Sequence, residues 1–299
     1  MTEPDTDRDG VTDPTVDSAA LGPLDGATDV HVHLMPDRLL DAIRGALHEA
    51  AGWEFPHPTE RDAIEAELRA HGVDRYCALP YAHEPGIAAE LNDWVRQRAA
   101  ASEMCVPFAT VHGEDDVRAV VREAFEGGAR GLKFQCPVQE VGPDDPRLDP
   151  AFELAAEYDR PILFHAGTAP MFEDSPHVGV DAFRSFLESY PEVRGCCAHM
   201  GAFETEAFVA TVREHDNAFL DTCFAMSTAV GDYMSFDPDS VDDAVFEDLA
   251  GRVMFGSDYP NIPHPYRAEY EGLVSRDLSS SARAALFGGA AERFLGRRG

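Results

Sequence analysis

Six side chains in this 299-residue chain have the types and spacing for a cation site: His31, His33, Lys133, His165, His199 and Asp258. Neutral imidazole and carboxylate suit zinc, manganese, iron or cobalt. Three imidazoles and one carboxylate leave positions open for water and substrate, as a catalytic centre requires. Lys133 is the only lysine among 24 Lys and Arg residues. An ammonium can lose its proton, carry a carbamate or act as a compact point charge; a guanidinium does none of these. Singly, each residue has a plainer role. A histidine or lysine after a strand is usually structural or solvated, and an aspartate in Gly256-Ser257-Asp258-Tyr259-Pro260 usually caps a turn. The joint placement of all six carries the cation reading.

These residues must be positioned by the elements around them. From residue 26 onward, short apolar runs alternate with amphipathic helical stretches. Strands are expected at 27–33, 73–79, 104–111, 129–135, 161–165, 193–199, 218–224 and 252–255. Helices are expected between them, one opening at 59–62 with a side-chain cap. Eight strand–helix repeats predict a parallel sheet closed into a (β/α)8 TIM barrel. An open doubly wound sheet is the alternative, but no glycine-rich phosphate loop follows the first strand. Strand ends of a barrel converge on one mouth, and His31 and His33, two residues apart, share a strand face. His83, His112, His177 and His264 are weaker candidates for substrate contact. Phe172, Phe224, Met226 and Tyr259 are candidates for an apolar wall. His48, His71 and His215 are expected on the surface.

The formal net charge is -31. It excludes nucleic acid and anionic membrane as partners, since both need a basic face. Acidic residues are spread along the whole chain, which predicts a halophilic protein whose carboxylate repulsion is screened by salt. No apolar run approaches the roughly 18 residues of a membrane span. Residues 1–24 read as a disordered acidic tail without a signal segment, and residues 25–299 as one domain. The six cysteines lack a CxxC pair and predict reduced, buried thiols. A cytoplasmic protein with a small-molecule substrate is expected; a homo-oligomer is left open.

Asp29-Val30-His31-Val32-His33-Leu34, Gly131-Leu132-Lys133-Phe134, Leu163-Phe164-His165-Ala166-Gly167, Ala198-His199-Met200-Gly201 and Phe255-Gly256-Ser257-Asp258-Tyr259-Pro260 follow one another along the chain. This ordered set resembles the signatures of the amidohydrolase superfamily. It is most similar to the amidohydrolase-related (family 2) branch that includes aminocarboxymuconate semialdehyde and resorcylate decarboxylases. The resemblance spans about residues 26–296. It implies a distorted TIM barrel with a divalent metal, zinc expected first and Mn, Fe or Co as alternatives. By motif, His31, His33, His165 and Asp258 would be metal ligands, and His199 would polarise substrate or bound water. One departure is Gly288-Gly289-Ala290-Ala291, where relatives usually carry an asparagine.

The leading expectation is a metal-dependent hydrolase of a small amide, ester or lactone. Asp258 would take the proton of the attacking water, and His199 would stabilise the developing oxyanion. The alternative is a metal-dependent non-oxidative decarboxylase of a small carboxylic acid; a non-enzymatic binding protein is a third reading. Lys133 separates two versions of the site. As a carbamate it would bridge two ions about 3.5–4 Å apart. In a one-ion site, the favoured version, it would bind a substrate carboxylate or position His199. Arg38, Arg44, Arg147 and Arg267 are the few loop cations available to clamp a carboxylate.

Overall fold

A computed structural model describes residues 24–296. Eight parallel strands appear in the expected order: β1 (Ala27–Val32), β2 (Val73–Ala78), β3 (Cys105–Pro107), β4 (Leu132–Phe134), β5 (Ile162–Phe164), β6 (Gly195–Cys197), β7 (Ala218–Asp221) and β8 (Val253–Met254). They form a run β1-β2-β3 and a run β4-β5-β6-β7-β8. Backbone hydrogen bonds close the ring at both junctions. Lys133 N donates to Ala109 O at 2.8 Å, joining β3 to β4. Val30 N donates to Phe255 O at 3.0 Å and Asp258 N to His31 O at 2.8 Å, joining β8 to β1.

The paired strands are short, and those of the β4–β8 run are buried throughout, as strands covered on both faces are. The expected strands extend past the ladders into the loops at the mouth, where His165, His199 and Asp258 sit. Pairing sets Lys133 level with Leu163, Leu163 with Cys196 and Cys196 with Phe219. Leu163, Cys196 and Phe219 belong to the barrel's inner cluster, together with Val30, Phe108, Met254 and Phe294. Their neighbours Phe164, Cys197 and Leu220 pack outward against the helices. Lys133 is thus an inner-layer residue, and the adjacent Cys196 and Cys197 face opposite ways. All six cysteines are free.

Several local expectations are corrected. The helix expected to open at Thr59 runs Arg61–Ala70, with Glu60 at its cap and no side-chain cap bond. A helical turn, Cys136–Gln139, interrupts the loop after β4. His71 is not a free surface residue: its Nδ1 lies 2.8 Å from the Tyr270 hydroxyl. At Gly288 and Gly289 the chain stays helical without an asparagine and runs into Ala290–Leu295, which covers the inner cluster. The expected tail at 1–24 lies, but for Leu24, outside the described residues.

Candidate metal centre

β1 delivers the first two ligand candidates through an irregularity. Asp29 pairs with Tyr76 and Val32 with Ala78, so three steps of β1 oppose two of β2. Such a bulge re-aims side chains. Both imidazoles turn toward Asp258: His33 Nε2 lies 2.9 Å and His31 Nε2 3.2 Å from Asp258 Oδ1. Their outer nitrogens are committed. His31 Nδ1 donates to Asp221 Oδ2 at 2.9 Å, and His33 Nδ1 donates to Leu79 O at 3.0 Å. Two imidazole lone pairs and a carboxylate oxygen therefore face one another in a buried space. Acceptors aimed at acceptors are repulsive unless a cation or proton lies between them, so this donor set fits a divalent ion.

The second pair lies beside the first. His199 Nδ1 donates to Cys223 O at 3.1 Å, and His165 Nδ1 donates to His199 Nε2 at 3.1 Å. That leaves His165 Nε2 buried with no hydrogen-bond partner among the described residues, as are His31 Nε2 and Lys133 Nζ. Only His31, His33 and Asp258 bring their ligand atoms within 4.8 Å of one another in this group. The ligand atoms of His31, His199 and Cys223 likewise lie within 4.8 Å of one another. His165 reaches the centre by way of His199. Asp258 and His199 both hold positive φ, 63° and 57°. Such backbone is costly for residues other than glycine and concentrates at functional sites.

Burial dominates the electrostatics. It pushes His165 well below the ordinary histidine range, with the field of His199 adding to it. Burial also lowers His33 and brings His199 down to about 4. His31 is the exception: burial and Lys133 pull it down, but Asp221 and Asp258 outweigh them and raise it. Burial would raise Asp258, yet the adjacent His31 and His33 imidazoles hold it well below the usual carboxylate range. Burial lowers Lys133, opposed by the fields of Asp221 and Asp258. The neutral imidazoles are the form a metal takes.

Asp221 was not among the sequence candidates, although it is the last residue of β7. It accepts from His31 Nδ1, from His199 N at 2.8 Å and from Cys223 Sγ at 2.8 Å, so it fixes both halves of the centre. Asp29 was also missed. Its buried carboxyl accepts from Ser257 N (3.1 Å), Ser257 Oγ, Tyr266 OH (2.9 Å) and His31 N (3.0 Å), tying β1 to the Asp258 loop.

Above the centre opens a cavity of about 470 Å³, floored by His33, His165, His199 and Asp258. His83, Phe172 and Phe224 line it, as expected of candidates. His112, His177, His264, Met226 and Tyr259 do not. Lys133 lies below the floor and not in the lining, and neither do Arg38, Arg44, Arg147 or Arg267 reach it.

A closed eight-stranded barrel with a buried His/His/Asp cluster at its C-terminal mouth defines a class of structure: a barrel with a candidate metal site. The chain belongs to the amidohydrolase family, whose model (Amidohydro_2) matches residues 28–297. That family is metal-dependent. Among curated proteins none matches in sequence. The fold is similar to an uncharacterised TIM-barrel protein from Bordetella bronchiseptica (TM-score 0.70, 17% identity, 90% of this chain and 98% of that one). It is similar to 2,6-dihydroxybenzoate decarboxylase from Rhizobium (0.66, 17%, 91% and 99%). It is also similar to 5-carboxyvanillate decarboxylase from Novosphingobium aromaticivorans, solved with manganese and a nitrobenzoic acid (0.59, 16%, 92% and 96%).

Proposed function

We propose that this chain is a metal-dependent non-oxidative decarboxylase of a small carboxylic acid. The observation that carries the metal is the convergence of His31 Nε2, His33 Nε2 and Asp258 Oδ1 with no donor among them. His31, His33 and Asp258 would hold one divalent ion, zinc or manganese, with His165 reaching the centre through His199. When bound, the ion supplies Lewis acidity to a substrate oxygen. The carbon–carbon bond to the carboxylate then breaks, and its electron pair stays on the substrate carbon. The vacated place takes a proton that Asp258, held ionised, or neutral His199 would first take up from solvent water, and carbon dioxide leaves with the net uptake of one proton. The two decarboxylases of like fold support this choice over hydrolysis, the leading expectation from sequence.

Hydrolysis of a neutral amide, ester or lactone is the second reading. One observation favours it: no Lys or Arg among the described residues lines the cavity to meet a carboxylate. Asp258, held ionised, would then accept the proton of the attacking water. Lys133 acts in either reading from beneath the floor, its charge opposing protonation of His165 and His199. We further propose that residues 25–299 form one domain, that the protein is cytoplasmic, and that its acidity suits a salt-rich interior.

The test is metal analysis of protein purified in high salt, coupled to a panel of aromatic acids, amides, esters and lactones scored for both carbon dioxide release and hydrolysis. One ion per chain with carbon dioxide release is expected. Hydrolysis alone would select the second reading. Lys133→Met should keep one ion and lose turnover. Two ions in the native protein, both lost in Lys133→Met, would mark a bridging carbamate instead.

A further inference from the structure

The cavity over the centre has a wall chemistry that the chain as a whole lacks. Charged residues make up 26% of the sequence, yet of the 24 residues lining the cavity only Asp258 is an acid or a Lys or Arg. The helix Asp37–Ala51 turns one stripe to it, with Leu39, Ile43 and Leu47 at helical spacing. Trp53 stacks on Phe224 at 5.1 Å between ring centroids, closing one end with an aromatic face. Val138 and Phe172 line the same cavity. The polar groups gather at the floor, where Tyr81 packs against His33, apart from the amides of Gln135 and Asn261 and the exposed His83. The guanidinium behind Asn261 is already engaged: Arg44 donates to Asn261 Oδ1, His57 O and Pro260 O at 3.3, 2.8 and 2.8 Å.

We propose that the site takes a molecule with one oxygen-bearing polar end and an uncharged hydrocarbon body: an alkyl- or aryl-substituted acid, ester or lactone, not a dicarboxylic or polyhydroxylated one. The polar end rests on the metal reading given above; the body rests on the walls alone. A volume of about 470 Å³ falls within the roughly 300–1,000 Å³ of small-molecule sites. A second carboxylate would lose its hydration without gaining a cationic partner, inside a chain of net charge -31.

Trp53 supplies the readout, because the second of the two tryptophans, Trp94, lies outside the lining. Quenching of Trp53 is titrated in metal-loaded protein with acetohydroxamic, hexanohydroxamic and octanohydroxamic acids, and with suberic acid monohydroxamate, which has a carboxylate at the far end. From acetyl to hexanoyl the Kd should fall about fourfold per methylene. The carboxylate-ended probe should bind at least about tenfold more weakly than octanohydroxamic acid. Leu47→Arg should narrow that gap. An affinity independent of chain length, or a carboxylate-ended probe that binds as well, overturns the proposal. Failure of the metal reading shows separately, as absence of the ion and of hydroxamate binding. The body is then read with 1-hexanol against 1,6-hexanediol, and equal or absent binding of hexanol overturns it.

Discussion

At the residue scale, the centre is decided by which nitrogen of each histidine is committed. Leu79 O and Asp221 Oδ2 bind the outer nitrogens of His33 and His31, which turns both inner nitrogens toward Asp258. Asp221 carries the larger share, since it also accepts from the backbone of His199. Loss of such an outer partner typically costs 10–100-fold in metal affinity. Asp221→Asn should therefore weaken metal binding by roughly that factor in a chelator competition, with activity recovered by excess metal. An unchanged affinity would remove Asp221 from the centre. The His31/His33 pair, Lys133, His165, His199 and Asp258 could be named as candidates because each belongs to a local motif; the fold brings the ligand atoms of His31, His33 and Asp258 together. Asp221 belongs to none: Leu220-Asp221-Thr222 looks like any strand end. Its meaning arises only from partners 190 and 22 residues away. Cys223 escaped for the same reason, although its Sγ lies 3.1 Å from both His31 Nδ1 and His199 Nδ1.

At the element scale, the order and kind of strands were legible from alternating apolar runs and helices, while strand lengths were not. Length is set by how far neighbouring backbones stay paired, and Ala198 and Thr222, Cys223 and Phe224 stay buried after pairing stops. Two glycines named only as parts of motifs do the spacing. A Cβ on Gly167 would lie 2.5 Å from the backbone of Gly201, so the loops after β5 and β6 touch there. Those loops carry His165 and His199. Gly167→Ala should cost about 1–3 kcal/mol of stability by overpacking and lower kcat more than it raises KM, because His199 shifts. A variant with native urea midpoint and native kcat would show the approach to be loose. A second device stands behind the cavity wall. Glu269 Oε2 accepts from Phe224 N at 2.7 Å, holding Phe224 at φ 57° with its ring on Trp53, and His264 Nε2 lies 3.1 Å from Glu269 Oε1. Burial brings His264 down to about 4 and raises Glu269 well above the carboxylate range. A histidine whose folded value lies below its unfolded one binds fewer protons folded, so its contribution to stability is lost as pH falls from about 6.5 toward 4. Between pH 7 and pH 5 this amounts to about 2 kcal/mol. In His264→Asn the loss of stability between those pH values, measured by urea unfolding, should shrink by about that amount. An identical pH profile in both proteins would show that His264 does not titrate in this way.

At the scale of the whole molecule, the chain joins a neutral, largely apolar interior to an acidic exterior. Fifty-five Asp and Glu face 24 Lys and Arg. Of the described arginine–carboxylate pairs, Arg96–Asp93, Arg118–Glu153 and Arg213–Asp248 are exposed on both sides, and most of the others on one. Pairs of that kind contribute little, so they do not offset the repulsion among unpaired carboxylates. Repulsion of this sort destabilises the compact state and is screened by salt, the Debye length falling from about 10 Å at 0.1 M to about 3 Å at 1 M. The urea midpoint of the full chain should therefore rise steeply with KCl up to about 1 M and flatten beyond, since screening is then nearly complete. An effect of salt on apolar hydration follows a different curve, continuing to climb with concentration and with a more excluded anion such as sulfate. The two are separated by comparing KCl with potassium sulfate at equal ionic strength. Coincident curves that saturate place the dependence in the carboxylates. A midpoint that is flat in KCl would mean that the exterior charge leaves the barrel's stability untouched.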